Sequence, residues 1–266
     1  MSPSGKSLNK SLDRALDILE LLSAHEAPLR SVEIARELGV APNTANNMLR
    51  VLFRRGYLAQ DVGGRYYPGP QCHFLSNRPS LFRLLRDVAE PIMSGFSRET
   101  GGNAFLGAED GGNLYMVVRT EGGGAVRATH EQLWRNQFHA TAVGKIILAE
   151  RGLPWLRRNM QGGRLERFTP RTVTRIGDIA AMIAEVRERG FAIVDRESDE
   201  ELYAFGVPVC DAAGNLIAGI GQSIPYYYVE TKRIDIDARI RALTETALRI
   251  GVEFSRFGRA SSEGMT

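Results

Sequence analysis

The N-terminal quarter of the chain carries three short helical patterns and then a hairpin pattern, and this order limits the possible folds more than any other feature. Apolar residues recur at helical spacing in a first segment, which Ser11 can cap. A second, short helix is predicted to begin at a capping Ser31 and to end at Gly39. A third begins at Pro42, which suits a first helical position, and ends at Gly56. The residues predicted to face inward are Leu12, Ala15, Leu16, Leu19 and Leu22 in the first helix, Val32, Ala35 and Leu38 in the second, and Ala45, Met48, Leu49 and Leu52 in the third. The last two helices form a predicted helix-turn-helix.

The third helix predicts a nucleic-acid interface on its outward face. Its amide and hydroxyl side chains and its arginines can pair with base edges or phosphates in a major groove. The strand patterns 57–60 and 65–68 then form a hairpin, which reads as a wing with an arginine near its tip. We therefore predict a winged helix-turn-helix that binds double-stranded DNA through Ser31, Asn43, Thr44, Asn46, Asn47, Arg50, Arg54 and Arg65.

Three alternatives stay open for this segment. Asn46 and Asn47 taken alone are also typical of a solvated helix face, and Arg54 with Arg55 also complements a helix dipole without DNA. The winged helix can also serve as an interaction module that binds no DNA.

Composition sets outer limits on the class of protein. The chain has 266 residues, of which 43% are hydrophobic and 24% charged, so two globular domains are expected. A net charge of +3 is too small to identify a partner.

No apolar run is long enough for a membrane span, and we expect a cytoplasmic protein that does not bind membranes. Cys72 and Cys210 are far apart and outside any metal-ligand pattern, so we expect neither a disulfide framework, a zinc site nor a cofactor.

The rest of the chain alternates hairpins and helices, which predicts an α+β domain with an antiparallel sheet flanked by helices. Residues 103–119 and 204–223 each form a hairpin pattern, and helices are predicted over 179–189 and around 240–250. A helical apolar stripe over 81–88 links the two halves, where it serves either as a dimer surface or in intramolecular packing.

A small-residue helix after His139 predicts a binding site for an anion. Its first turn leaves backbone N–H groups unpaired near Ala142 and Val143. His139 could instead be a catalytic base in an enzyme, but no nucleophile or carboxylate stands at a recognisable spacing. The acidic run 195–201 lacks the spacing of a calcium loop and indicates a solvated loop.

Long segments of both halves resemble the IclR family of transcription regulators. The N-terminal match is SVEIARELGVAPNTANNMLRVLFRRGYLAQDVGGRYYPGP, and the C-terminal ones are FHATAVGKIILA, RERGFAIVDRESDEEL with YAFGVPVCDAAG, and LIAGIGQSIP. Together they cover the chain from Leu8 to Phe257 in the family's order. Asn47 stands where family members often have a basic residue, so the operator sequence cannot be transferred from them.

The resemblance implies a domain order, a sensing function and an assembly. We expect a DNA-binding domain with an N-terminal arm at 1–76, a linker helix region at 77–100, a GAF-like effector domain with about six strands at 101–258 and a disordered tail at 259–266. We expect a homodimer, or a dimer of dimers, on a near-palindromic operator, with a small organic acid as effector and no enzymatic activity. The implied effector site consists of Phe105, Ala142, Val143, Val194, Asp195, Tyr203, Ala204, Gly221 and Ser223.

Several of these positions are less polar here than is common in the family. Val194 stands where an acid is common, Ala204 where cysteine is common, Phe205 where an aliphatic residue is usual and Gly221 where serine is common. A pocket with fewer polar groups favours ligands with more apolar surface. Our hypothesis is an aromatic or larger organic acid in preference to a two- or three-carbon keto acid.

Overall fold

The computed structural model describes residues 9–25, 27–76, 80–122, 137–159 and 164–263. The chain divides into two compact units, Met1–Pro79 and Ser80–Thr266, and each is described by itself. The division falls three residues after the predicted end of the first domain at residue 76.

The first unit has the three helices and the hairpin in the order that the sequence predicts, followed by a short helix that was not predicted. Its elements are α1 (Lys10–Ala24), α2 (Ser31–Glu37), α3 (Pro42–Arg54), β1 (Leu58–Gln60), β2 (Tyr66–Pro68) and α4 (Pro70–Ser76). Strands β1 and β2 pair antiparallel, and Pro42 is the first residue of α3. The core of the unit consists of Ile18, Leu22, Ile34, Leu49, Leu52 and Leu58. These elements form a winged helix-turn-helix.

Both predicted serine caps are wrong. The N-cap of α1 is Asn9, whose side chain accepts the N–H of Leu12 at 3.2 Å, so Ser11 lies inside the helix. Ser31 is likewise the first residue of α2, after the N-cap Arg30. The Arg30 N–H donates to the Glu33 carboxylate at 2.6 Å, so a side chain three residues later satisfies this end of the helix.

Three apolar residues predicted to face inward are exposed. They are Leu12, Leu16 and Val32, with 57%, 49% and 68% of their surface accessible. At 3.6 residues per turn Leu16 lies roughly 160° around α1 from the fully buried Ile18. The core therefore takes one narrow stripe of α1, and the leucines outside it form an apolar surface.

The second unit is built on one antiparallel sheet with helices on both faces. Its elements are α5 (Leu81–Thr100), β3 (Asn103–Asp110), β4 (Asn113–Thr120), α6 (Ala142–Asn159), α7 (Ile176–Arg189), β5 (Ala192–Asp195), β6 (Leu202–Cys210), β7 (Leu216–Pro225), α8 (Tyr226–Glu230) and α9 (Ile236–Glu263). The strand order is β4-β3-β7-β6-β5, so the described residues supply five strands where the resemblance implies about six. Gly111 and Gly112 form the turn between β3 and β4, with φ of 57° and 83°. A two-residue hairpin turn of this type needs positive φ at both central positions, which glycine adopts readily.

Two hydrophobic clusters lie on opposite faces of this sheet. Residues of α5 and α9 pack on one face, and residues of α6 and α7 pack on the other. The predicted linker helix α5 contributes Leu85, Val88 and Ala89 to the first cluster. Its apolar stripe therefore serves intramolecular packing, although Leu81 at its start is exposed.

Two further observations bear on the predicted organisation. Helix α9 continues to Glu263, so residues 259–263 are helical where a disordered tail is predicted, and residues 264–266 lie outside the described part of the chain. Within the described residues, no helix combines the length and the apolarity that a bilayer span requires.

Candidate nucleic-acid interface and ligand cavity

One face of α3 presents a stripe of polar side chains. At 3.6 residues per turn its five members fall within an arc of roughly 100°, opposite the buried Ala45 and Leu52. All are exposed, and none forms a side-chain hydrogen bond within the described residues. This α3 polar stripe consists of Asn43, Asn46, Asn47, Arg50 and Arg54. Thr44 is half-buried beside it.

The wing places another cation at the surface. Arg65 is exposed directly before β2. The carboxylate of Asp61 accepts the backbone N–H groups of Gly63 and Arg65, both at 2.8 Å, and so fixes the turn. In the described parts of this unit neither Arg65 nor the arginines of the stripe have an ion-pair partner, so their charge is available to an anion. Ser31 is half-buried at the start of α2.

The second unit has a cavity between the start of α6 and the sheet. We call it the α6 cavity; it has a volume of about 430 Å³ including its open mouth. Two cross-strand rows form its floor, since Ala204 pairs with both Val194 and Ser223, and Gly221 pairs with Phe105. The lining residues are Phe105, Gln137, Thr141, Ala142, Val143, Val194, Ser198, Ala204, Gly221, Gln222 and Ser223.

The first turn of α6 lies directly over these strands. A Cβ atom at Gly219 of β7 would stand 3.1 Å from Val143 Cγ1 and 3.3 Å from the Val143 carbonyl oxygen, so this glycine permits the close approach of helix and sheet. The Thr141 hydroxyl accepts the N–H of Gly144 at 3.1 Å and caps the helix. Within the described residues the N–H groups of Ala142 and Val143 have no acceptor, and both residues line the cavity.

The polar groups of the α6 cavity suit an anion. None of the described lining residues carries a charge, so no carboxylate repels a negative ligand. The Ser223 hydroxyl is buried and has no hydrogen-bond partner in the described part of the chain. Two free N–H groups at a helix N-terminus attract negative charge, and the hydroxyl adds one more donor.

Seven of the nine predicted effector residues line this cavity. They are Phe105, Ala142, Val143, Val194, Ala204, Gly221 and Ser223. The sequence reasoning missed Gln137, Thr141, Ser198 and Gln222. Thr141 could have been found from the sequence through its position as the cap of the predicted helix. Gln137 and Ser198 lie in irregular segments, where no periodic sequence pattern marks them.

Asp195 and Tyr203 do not line the α6 cavity. The Asp195 carboxylate pairs with Arg171 and Arg196, each at 2.9 Å. Tyr203 packs against the cluster on the opposite face of the sheet, as does Phe205, which is fully buried there. Successive side chains of a strand point to opposite faces, so the neighbours of Ala204 must face away from the cavity.

A buried ion pair lies next to the cavity. Lys145 Nζ donates to Glu197 Oε1 at 2.5 Å and to the Ile193 carbonyl at 2.8 Å. Burial lowers the pKa of Lys145, and Glu197 only partly opposes that shift. Burial also raises the pKa of Glu197, against the opposing effect of Lys145. The pair joins α6 to the segment after β5.

His139 stands apart from the cavity lining. It is fully buried, and its Nε2 lies 2.8 Å from the Glu166 carbonyl. Within the described lining of the α6 cavity, neither a histidine nor a carboxylate is present that could act as a base.

Both halves of the chain match family models. Residues 11–62 match the IclR helix-turn-helix domain, and residues 83–252 match the bacterial transcriptional regulator IclR C-terminal domain. The chain is 31% identical to the HTH-type transcriptional regulator BhcR of Paracoccus denitrificans, over 94% of this chain and 88% of that protein. It is 28% identical to the HTH-type transcriptional regulator XynR of Escherichia coli, over 93% of this chain and 96% of that protein.

Solved structures agree with this fold. An IclR homolog of Microbacterium hydrocarbonoxydans complexed with 4-hydroxybenzoate superposes with a TM-score of 0.76 and 20% identity, over 92% of this chain and 99% of that one. The Thermotoga maritima IclR superposes with a TM-score of 0.67 and 23% identity, over 92% and 98% of the two chains.

Proposed function

Because the chain belongs to the IclR family of bacterial transcriptional regulators, we propose that a small organic acid bound in its α6 cavity changes its affinity for an operator. Members of the family are regulators of transcription and not enzymes, which sets aside a catalytic role for His139. One observation carries the proposal: the cavity combines apolar walls with two N–H groups and a buried Ser223 hydroxyl that have no hydrogen-bond partner in the described part of the chain.

The α3 polar stripe and Arg65 are the groups we propose to contact DNA. In a helix-turn-helix the second helix enters the major groove, where amide side chains pair with adenine and arginine with guanine or phosphate. Ser31 and Thr44 stay in the proposed interface as half-buried hydroxyls at its edge.

Operator binding can be tested with single substitutions on this stripe. Asn46→Ala is expected to raise the Kd for operator DNA by about tenfold, since one base contact contributes roughly 1–3 kcal/mol of discrimination. Arg158→Ala, an exposed arginine of the second unit without an ion pair among the described residues, is the control and should leave Kd unchanged. Equal effects of the two substitutions would contradict the assignment.

We propose an aromatic or larger organic acid as the effector. Phe105, Val194, Ala204 and Gly221 give the cavity apolar walls, which a keto acid of two or three carbons would leave uncovered. The homolog bound to 4-hydroxybenzoate supports this class of ligand. Neither Asp195 nor Tyr203 is part of the proposed site.

A thermal-shift screen separates the ligand classes. A ligand of the native state at 100 times its Kd adds about 2.7 kcal/mol to the free energy of unfolding. Benzoate and 4-hydroxybenzoate are expected to raise the Tm, whereas benzamide, pyruvate and glyoxylate should change it little. Easy displacement of an aromatic acid by pyruvate or glyoxylate would refute the proposed class.

Filling the cavity tests whether it is the sensing site. Ala204→Leu adds volume at the floor and is expected to abolish the Tm shift and the effect of the acid on operator binding, while operator affinity without acid is unchanged. Ala213→Leu, on the exposed turn between β6 and β7, is the matched control. An acid that still modulates Ala204→Leu would place the sensing site elsewhere.

The assembly and the compartment are further parts of the proposal. A helix-turn-helix protein reads paired half-sites as a symmetric dimer, so we propose a homodimer, or a dimer of dimers, on a near-palindromic operator. The exposed Leu12 and Leu16 of α1 offer apolar surface for such pairing.

The effector must bind the different arrangements of the paired chains with unequal affinity if it is to shift their populations. Because the proposed operator DNA of a bacterial cell lies in the cytoplasm, we propose that the protein is cytoplasmic.

A further inference from the structure

A second cavity of the second unit lies between α7 and β5. We call it the α7 cavity; it has a volume of about 870 Å³ including its open mouth. Its lining residues are Lys145, Val173, Asp178, Ala181, Met182, Glu185, Val186, Arg189, Phe191, Ile193, Asp195 and Glu197. None of them lines the α6 cavity, although the two cavities are built from adjacent residues of β5.

One carboxylate at the α7 cavity has no cation paired with it among the described residues. Arg189 pairs with Glu185 at 2.7 Å, and Asp195 pairs with Arg171 and Arg196. Asp178, in the first turn of α7, has no ion-pair or hydrogen-bond partner in the part of the chain that the structure describes. The mouth of the cavity therefore carries a carboxylate that is free to attract a cation.

A buried acceptor lies deeper in the same cavity. Glu197 is 8% exposed, and its Oε1 accepts from Lys145. Among the described residues no donor lies within hydrogen-bond distance of its other, buried oxygen, Oε2, although the Asp195 backbone also favours the charged form of this carboxyl group. A buried acceptor left unpaired costs free energy, and a charged N–H donor would satisfy it best.

Hydrocarbon covers much of the remaining wall. Met182 and Val186 are buried at the cavity, and Phe191 and Ile193 are half-buried. A ligand with an apolar body can remove this surface from water while its charged end meets the carboxylates.

We propose that the α7 cavity is a ligand site for a small organic cation, a protonated amine with an apolar body, separate from the α6 cavity. The ammonium group donates to Glu197 Oε2, Asp178 adds attraction at the mouth, and the hydrocarbon part lies against Met182, Val186 and Phe191. Lys145 keeps its bonds to Glu197 Oε1 and to the Ile193 carbonyl, so the carboxylate of Glu197 is shared between two cations.

Titration calorimetry on the full chain tests this site with n-butylammonium chloride as the probe. Saturable binding of n-butylammonium at one site per chain is expected, and sodium butyrate, which has the opposite charge on a similar body, should not compete for it. Absence of saturable n-butylammonium binding at millimolar concentration, or competition by butyrate, would overturn the proposal.

Charge-removing variants locate the site. Asp178→Asn is expected to weaken n-butylammonium binding by about threefold, as an exposed charge pair would. Glu197→Gln is expected to weaken it by at least about tenfold, since it alters a charged hydrogen bond. Glu188→Gln, on an exposed part of the same helix outside the cavity, is the matched control and should have no effect.

The two charge-removing variants keep the proposal testable even if one of them does not fold. Circular dichroism shows whether Glu197→Gln retains the native fold, and Asp178→Asn, at an exposed position, tests the site without it. Unchanged binding in Asp178→Asn or in a folded Glu197→Gln, or an equal loss in Glu188→Gln, would overturn the proposal.

Discussion

Replacing Lys145 by methionine removes one partner of the buried ion pair and keeps a side chain of similar length. The side chains of Lys145 and Glu197 are only 3% and 10% exposed. Loss of the cation leaves the Glu197 carboxylate without an ion-pair partner among the described residues, and such uncompensated charges typically cost about 3–5 kcal/mol.

Proton uptake by Glu197 limits this cost and makes it depend on pH. Burial already raises the pKa of Glu197, and removal of Lys145 raises it further. Each pH unit above the ordinary glutamate pKa of 4.5 contributes about 1.4 kcal/mol to the cost of protonating Glu197. The loss of unfolding free energy is therefore at most about 4 kcal/mol near pH 7.5 and about 1.4 kcal/mol near pH 5.5. For an acid whose pKa is raised by folding, stability falls as the pH rises, which gives this direction.

Urea unfolding at the two pH values measures the effect. The tryptophans of the sequence, at positions 134 and 155, fall within the residue range of the second unit, and Trp155 is half-buried there, so tryptophan fluorescence follows the unit that holds the ion pair. Lys232→Met, at an exposed lysine of the same unit, is the control for loss of positive charge.

The double variant Lys145→Met/Glu197→Gln distinguishes this explanation from a packing defect. With no ionisable group left at the pair, its stability loss should be the same at both pH values. A loss in Lys145→Met below about 1 kcal/mol at pH 7.5, or one independent of pH, would refute the reasoning.

Three other substitutions give separate tests. Asn47→Ala should weaken operator binding by about tenfold in a fluorescence anisotropy titration without changing Tm, because the side chain is exposed on the α3 polar stripe. Gly144→Ala should lower the free energy of unfolding by roughly 1–3 kcal/mol in urea denaturation, because the new Cβ would stand 2.6 Å from the Cα of Phe138. Ser223→Ala should raise the Tm of the ligand-free protein, because it removes a buried hydroxyl that has no partner among the described residues. It should also weaken binding of the proposed effector about tenfold in calorimetry; a lower Tm without ligand would contradict this assignment.

The winged helix-turn-helix could be predicted closely from the sequence because its signals are local. Pro42 begins α3 as predicted, and both wing strands lie within the predicted hairpin. The caps were less predictable, since Asn9, Ser11 and Ser31 are all suitable residues. Which of them caps a helix depends on where packing begins the helix, and the residue types do not contain that information.

The α6 cavity could be predicted only in part. Ala204, Gly221 and Ser223 were found through the resemblance, and strand alternation alone would have excluded Tyr203 once Ala204 was placed in the cavity. The ion pair between Lys145 and Glu197 could not be predicted, because it joins residues 52 positions apart whose contact depends on how α6 lies on the sheet. Contacts of this kind follow from tertiary packing and leave no periodic pattern in the sequence.

The backbone donors at the start of α6 have a consequence for how such a regulator diverges. Every residue except proline supplies the same N–H group, so substitutions at Ala142 or Val143 would leave the proposed attraction for a carboxylate in place. The shape of the cavity, in contrast, depends on side chains such as Val194 and Ala204, which single substitutions alter. If the proposed site is the sensing site, descendants of this chain can therefore change the acid that they bind while retaining the attraction for acids as a class.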